Sequence, residues 1–392
     1  MKEVVIVSAV RTAIGNFQGG LSSFSATDLG ALVIEESIRR AGIEKNKVDE
    51  VIMGNVVPIG LGQNPGRQAM IKAGLPMEVG AITVNKVCGS GLKAVMLAEQ
   101  AIKCGDAEII VAGGMESMSN IPHYFPALRN GVRMGDAKMI DGMVHDGLWD
   151  VVNDYHMGYT AELVSEKFNI SKEEMDQFSI DSNDKALAAQ KAGKFKAEIM
   201  PLKVKPRKGE PFMADTDEGP RKTTMEKLAT LRPAFKKGGL VTAGNASKIS
   251  DGASCLVVMS REQADDLGCK PLVRLIAQGA AGVPLEDVLV APIKSIPKVL
   301  AKAGLTINNI DLHEINEAFA TSSMAIVKEL GIDMKRVNVN GGAVALGHPI
   351  GCSGARVLTT LIYAMKERNV HYGMASLCLG GGEAVSAIVE NL

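Results

Sequence analysis

"NKVCGSGLKA", residues 85–94, places a cysteine in a glycine- and serine-rich turn. Ahead of it runs the short β-branched stretch Ile82-Thr83-Val84, and behind it "LKAVMLAEQAI" reads as a helix. Far downstream, "GCSGARV" (351–357) repeats the turn: Ser90 falls on Ser353, Gly91 on Gly354 and Lys93 on Arg356, a spacing of 263 residues. A second pair shares nearly that spacing. "RRAGIEKNKVDEVI" (39–52) superposes on "AKAGLTINNIDLHEI" (301–315), with Ala41-Gly42 on Ala303-Gly304 and Val48-Asp49 on Ile310-Asp311. "IIVAGGMES" (109–117) then resembles "SLCLGGGEA" (376–384). Three matches in one order define two duplicated halves. Each runs helix, strand, turn, helix, strand, the alternation of an α/β unit.

The region between the halves differs in character. Residues 119–249 carry Pro122, Pro126, Pro201, Pro206, Pro211, Pro220 and Pro233, and charge-rich segments such as "KVKPRKGE" (203–210). They read as an insertion with helices at 158–168 and 172–192, and 250–270 as a strand and helix that complete the first half. The expected division is 1–118 with 250–270, an inserted loop domain at 119–249, and a second half at 271–392. Two α/β domains related by a pseudo-twofold bring equivalent turns face to face. Residues distant in sequence can then share one site.

Composition agrees with two cores. The chain has 392 residues, beyond the roughly 250–300 at which single cores stop growing. A net charge of −1 leaves no electrostatic footprint for nucleic acid and no basic belt for a membrane. The apolar run in "MKEVVIVSAVRTAIG" is too short to span a bilayer, and its arginine follows that run. A soluble, cytoplasmic protein is expected. The six cysteines (88, 104, 255, 269, 352, 378) show no C-x-x-C pair and no zinc spacing. They read as free thiols in a reducing compartment, with no metal expected.

Four turns carry residues that could do chemistry. Cys88, at a helix start, is either a small packing residue or a nucleophile whose pKa the helix end lowers. Gly89 and Gly91 would let a substrate carbonyl approach backbone N–H groups. His348, in "NVNGGAVALGHPIGCSGAR" (338–356), is either a structural histidine or the general base for a thiol. Cys378, in "SLCLGGGEA", is a buried strand cysteine, unless the glycines after it expose backbone donors as an oxyanion hole requires. Asn316 and Glu317, in "HEINEAFA" (313–320), suit a helix N-cap equally well. No phosphate-binding P-loop is present, and "GLGQNP" (60–65) has proline where a dinucleotide loop needs glycine. A Cys-His-Asn protease is conceivable, but no papain-type pattern surrounds Cys88.

Together, "NKVCGSGLKA", "NEAFA", "NGGAVALGHPIGCSGAR" and "CLGGG" resemble the four signature blocks of the thiolases, from "VIVSAVRTAIGNFQG" to the last strand. Within that family the chain is similar to the biosynthetic type, in "YHMGYTAE" (155–162), "RMGDAKMIDGMVHDGLWD" (133–150) and "TAGNASKISDGA" (242–253). The resemblance implies an α/β, five-layered αβαβα thiolase fold. It further implies reversible Claisen condensation of two acetyl-CoA to acetoacetyl-CoA plus CoA, with CoA thioesters as substrates and no cofactor. Cys88 would carry the acyl group and His348 would activate it. Cys378 would exchange a proton with the α-carbon, and Asn316 would hold a water that, with His348, stabilises the enolate. The N–H groups of Cys88 and Gly380 would form the second oxyanion hole. Leu231, Phe235, Ala243 and Ser247 would contact CoA, with His156 and Met157 at the pantetheine end and Ala318 and Phe319 across from them. The segment 119–149, with exposed-looking Tyr124, Phe125 and Leu128, resembles the loop through which biosynthetic thiolases form homotetramers.

Two departures stand out. "VLVAP" (288–292) replaces a loop that is glycine-rich in the family, which puts the acyl-chain preference in question; a degradative 3-ketoacyl-CoA thiolase is the alternative. Glu383-Ala384 follows "CLGGG", where an uncharged residue and glycine are usual. Glu383 is expected at solvent or paired with a basic residue, since unpaired charges are rarely buried. A non-catalytic acyl-CoA binder of the same fold is a third reading.

Overall fold

The structure is a computed structural model and describes residues 2–205 and 209–392. Pro206 and the middle of "KVKPRKGE" therefore lie outside the described residues.

Nine strands build the core: β1 (Val4–Arg11), β2 (Glu50–Gly54), β3 (Gly80–Val84), β4 (Ile109–Ser117), β5 (Ser250–Ser260), β6 (Val273–Gly282), β7 (Leu312–Ile315), β8 (Tyr372–Leu379) and β9 (Glu383–Asn391). Their order is β7-β8-β9-β6-β1-β5-β4-β2-β3, with the short strand Gly15–Asn16 added beside β5. The seam is thin: β6 and β1 pair only through Val5 with Arg274 and Ile6 with Val273. Outward from that seam the two halves mirror one another. On one side β1–β5 and β5–β4 are antiparallel, then β4–β2 and β2–β3 parallel. On the other, β6–β9 and β9–β8 are antiparallel and β8–β7 parallel. The place of a fifth strand is held there by one parallel bridge, His313 to Val337.

Two helices fill the space between the halves, α2 (Ser90–Cys104) and α7 (Ile350–Arg368). Fifteen residues of α7 are buried, as a helix covered on all sides requires. The repeated glycines allow the crossing. A Cβ on Gly91 would stand 2.7 Å from the backbone nitrogen of Ala355, and one on Gly354 would strike that of Leu92. Outside lie α1 (Ala26–Ala41) on the first half, and α5 (Pro292–Ala303) and α6 (Ala320–Leu330) on the second. The layers are therefore helix, sheet, helix, sheet, helix.

Between β4 and β5 the chain makes an excursion with α3 (Met157–Phe168) and α4 (Lys172–Lys191). Arg11 at the end of β1 ties it to the first half. Its fully buried guanidinium grips Asp217 twice, at 2.6 and 2.9 Å, and Glu198 at 2.6 Å. Removing one member of such a buried cluster strands the others, at about 3–5 kcal/mol. In the 119–149 segment, His123–Tyr124 pairs with Ile140–Asp141. Tyr124 and Phe125 are half-buried there, which corrects the expectation that they are exposed; Leu128 is 70% exposed.

Candidate active site

The chain leaves β3 at Val84 and turns sharply into α2. Val87 makes the turn, with φ of +43°, a left-handed value that is costly for a β-branched residue. Short bonds hold it there. Asn85 Oδ1 accepts the Val87 N–H at 3.0 Å, and Ser90 Oγ donates to the Val87 carbonyl at 2.7 Å while accepting the Lys86 N–H at 2.8 Å. The turn presents Cys88 to a cavity of about 470 Å³.

Two expectations for this turn need correction. Gly89 and Gly91 serve packing, not substrate access: a Cβ on Gly89 would run into Leu379 and Val385, and Gly91 lies against Ala355. Nor is the net effect on the thiol acidifying. Burial pushes Cys88 up to about 11, opposed by the N–H groups of Gly380 and Cys88 itself, with the buried Glu116 adding to the rise. Cys88 lines the cavity, and desolvation there outweighs the N–H groups at the helix start.

His348 sits between the short helix Ala343–Leu346 and α7. Its N–H donates to the Lys248 carbonyl at 3.0 Å. Its Nδ1 lies 2.6 Å from Ser353 Oγ, and that hydroxyl donates onward to the Pro349 carbonyl at 2.9 Å. The hydroxyl's single proton is thereby used, so Nδ1 carries the ring proton and Nε2 keeps its lone pair. Burial, then the charge of Arg356, push the imidazole down to about 3. It is a neutral base poised at Nε2.

Asn316 follows β7 and points its Nδ2 at that lone pair from 3.4 Å. Its Oδ1 is buried without a partner among the described residues, which leaves an acceptor for a water. Asn316 does not itself line the cavity. Glu317 is taken up by Ser182, Asn338 and the Val344 N–H, at 2.8, 2.8 and 3.1 Å. The pair is not an N-cap, because α6 is capped at Phe319. Cys378, next to last in β8, is buried; burial and the neighbouring Cys88 raise its pKa well above the usual thiol value. Gly380 lines the same cavity.

The other wall is apolar. His156, Met157, Phe235, Ala243, Ser247, Ala318 and Phe319 all line the cavity. His156 stacks on Phe235 at 4.6 Å, and Phe235 meets Phe319 edge-on at 6.1 Å. Leu231 does not line the cavity; it is half-buried and packs on Gly244. From the departing loop, Val288 and Leu289 reach the cavity, both buried. Glu383 pairs with Lys86, Nζ to Oε2 at 2.6 Å.

Three supporting residues escaped the sequence reading. Ser353 was visible in the repeat, but its role for His348 follows only from the fold. Lys248 accepts the His348 N–H, and its ammonium donates to the carbonyls of Ala345 and Gly219. Glu116 accepts N–H groups of Val56 and Gly351, each at 2.9 Å, and so fastens the start of α7 to the first half. Among the described residues, no cluster of three or more His, Cys, Asp or Glu could hold a metal, and no helix is long and apolar enough to cross a membrane.

Two cysteines and one histidine, brought by turns of two duplicated halves to one cavity, with an asparagine set against the histidine, define the class. The chain belongs to the thiolase family: the thiolase N-terminal domain matches residues 4–262 and the C-terminal domain 269–391. It is 54% identical over 387 residues to an acetyl-CoA acetyltransferase of Pseudomonas aeruginosa, covering 98% of each chain. To the acetyl-CoA acetyltransferase of Cupriavidus necator it is 53% identical over 391 residues, covering all of both. The crystal structure of the Bacillus anthracis acetyl-CoA acetyltransferase superposes with a TM-score of 0.98 at 41% identity, over 100% of this chain and 99% of that one.

Proposed function

We propose that this protein is an acetoacetyl-CoA thiolase, an acetyl-CoA acetyltransferase that interconverts two acetyl-CoA with acetoacetyl-CoA and CoA. The observation that carries the reading is the His348 network, which leaves Nε2 unprotonated in the cavity that holds both Cys88 and Cys378. His348 takes the Cys88 proton as sulfur attacks the acetyl carbonyl, and the N–H groups of Cys88 and Gly380 hold the oxyanion. The C–S bond to CoA breaks, and the leaving thiolate takes the proton of Cys378. CoA departs, and a second acetyl-CoA binds. The Cys378 thiolate removes its α-proton, while protonated His348 and a water on Asn316 hold the enolate oxygen. The enolate carbon attacks acetyl-Cys88, and the departing Cys88 sulfur recovers its proton from His348. Each proton is accounted for by two thiols and one imidazole, with no cofactor.

The reading includes CoA bound along His156, Met157, Phe235, Ala243, Ser247, Ala318 and Phe319. It also includes a homotetramer formed through the 119–149 segment, working in the cytoplasm. Val288 and Leu289 narrow the acyl end with buried branched side chains, which favours short acyl groups. Steady-state thiolysis of 3-ketoacyl-CoAs from C4 to C10 tests this. Preference for C4 is expected; preference for C6 or longer would replace it with the degradative reading.

A further inference from the structure

We propose that Lys86 and Glu383 are a positioning pair that holds the Gly380 N–H on the Cys88 sulfur; the inference rests on the function proposed above. The two residues flank the two thiols: Lys86 lies two residues before Cys88, and Glu383 five after Cys378. The segment that carries Gly380 is weakly specified by its own sequence. Gly380-Gly381-Gly382 supplies no side chains, and Gly381 and Gly382 have φ of +86° and +79°. Glycine runs of this kind lose the most conformational freedom on being ordered. A backbone bond from the Val283 N–H to the Gly382 carbonyl, at 2.7 Å, anchors the far end. At the near end, Gly380 lies so close to Val87 that an added Cβ would stand 3.1 Å from a Val87 methyl. Val87 is itself the strained residue of the nucleophile turn.

Between these two segments runs the ion pair, Nζ to Oε2 at 2.6 Å, from the residue before Val87 to the residue after Gly382. It bridges the two halves of the molecule where Gly380 and Cys88 line the same cavity, with the Gly380 N–H favouring the Cys88 thiolate. Misplacement of an oxyanion donor by a fraction of an ångström weakens stabilisation of developing charge far more than it weakens substrate binding. Loss of the pair should therefore appear in kcat and leave KM unchanged. Lys86 and Glu383 do not line the cavity. Lys93 lies in the field of both.

The test compares wild type, Glu383→Gln, Glu383→Asp and the charge exchange Lys86→Glu with Glu383→Lys. Two rates are read: acetylation of Cys88 by acetyl-CoA, and its alkylation by iodoacetamide, which needs no thioester chemistry. Glu383→Gln should lower kcat and the acetylation rate about three- to fivefold, the worth of a partly exposed pair. KM should stay unchanged. Glu383→Asp and the charge exchange should each recover the acetylation rate to within about twofold. The gap between wild type and Glu383→Gln should close at about 1 M salt, where such pairs are screened. Equal rates for wild type and Glu383→Gln at low salt, a loss confined to KM, or no recovery in the charge exchange would each overturn the proposal. If wild type fails to acetylate at all, the proposed function falls, while slower alkylation of Cys88 in Glu383→Gln that the charge exchange restores still supports this inference, and equal alkylation rates overturn it.

Discussion

At Cys88 two opposing forces act on one proton. The N–H groups of Gly380 and Cys88 favour the thiolate, and burial in an apolar cavity disfavours it more, so the sulfur rests as a thiol at about 11. His348, held near 3 by burial and Arg356, rests as a neutral imidazole. A neutral pair follows, not the thiolate–imidazolium pair that a helix-end cysteine first suggests. The charged state then forms as the acyl group arrives, where the oxyanion donors compensate for it. Alkylation of Cys88, followed by peptide mass mapping to separate it from Cys104 and Cys269, should accelerate steadily from pH 7 to pH 9.5. The sign follows from a raised pKa, since the thiolate fraction grows throughout that range. A plateau beginning below pH 8 would show a preformed thiolate and contradict the assignment. Cys88 and His348 were legible from local pattern, because the turn repeats in both halves. The direction of the pKa shifts was not, because desolvation depends on what packs over the turn from the other half.

The repeated glycines at the elements' crossing have a reason that the sequence alone concealed. Gly91 read as open space around a reacting thiol; it and Gly354 instead sit each on the other helix's backbone where α2 meets α7. The repeat itself was a dependable sign, since duplicated units bury their equivalent helices against one another. Its purpose was ambiguous, because a missing side chain serves packing and ligand approach alike. In the 119–149 segment, Leu128 is 70% and Met134 94% exposed. The homotetramer proposed above would cover them. Sedimentation of the purified protein should give a tetramer, and Met134→Asp with Leu128→Asp should reduce it to a dimer without loss of folding. A tetramer unchanged by that double substitution would remove the segment from the contact.

For the molecule as a whole, duplication is what makes the chemistry possible. The first half supplies Cys88 and, through Glu116, a seat for the start of α7; the second supplies His348, Asn316, Cys378 and Gly380. The excursion between β4 and β5 adds the apolar wall from His156 to Ser247. Fold class and halves were readable because hydrophobic alternation and the repeat agree. The wall was readable only by resemblance, since proline-rich loops carry little periodic signal. The division of labour between the two cysteines is the central claim, and Cys378→Ser tests it most directly. Incubated with acetyl-CoA and examined by intact mass, this variant should gain one acetyl group on Cys88, at a reduced rate because Cys378 also protonates the leaving CoA. It should form no acetoacetyl-CoA, whereas wild type does both. Condensation persisting in Cys378→Ser, or an acetyl group found anywhere but on Cys88, would contradict the account.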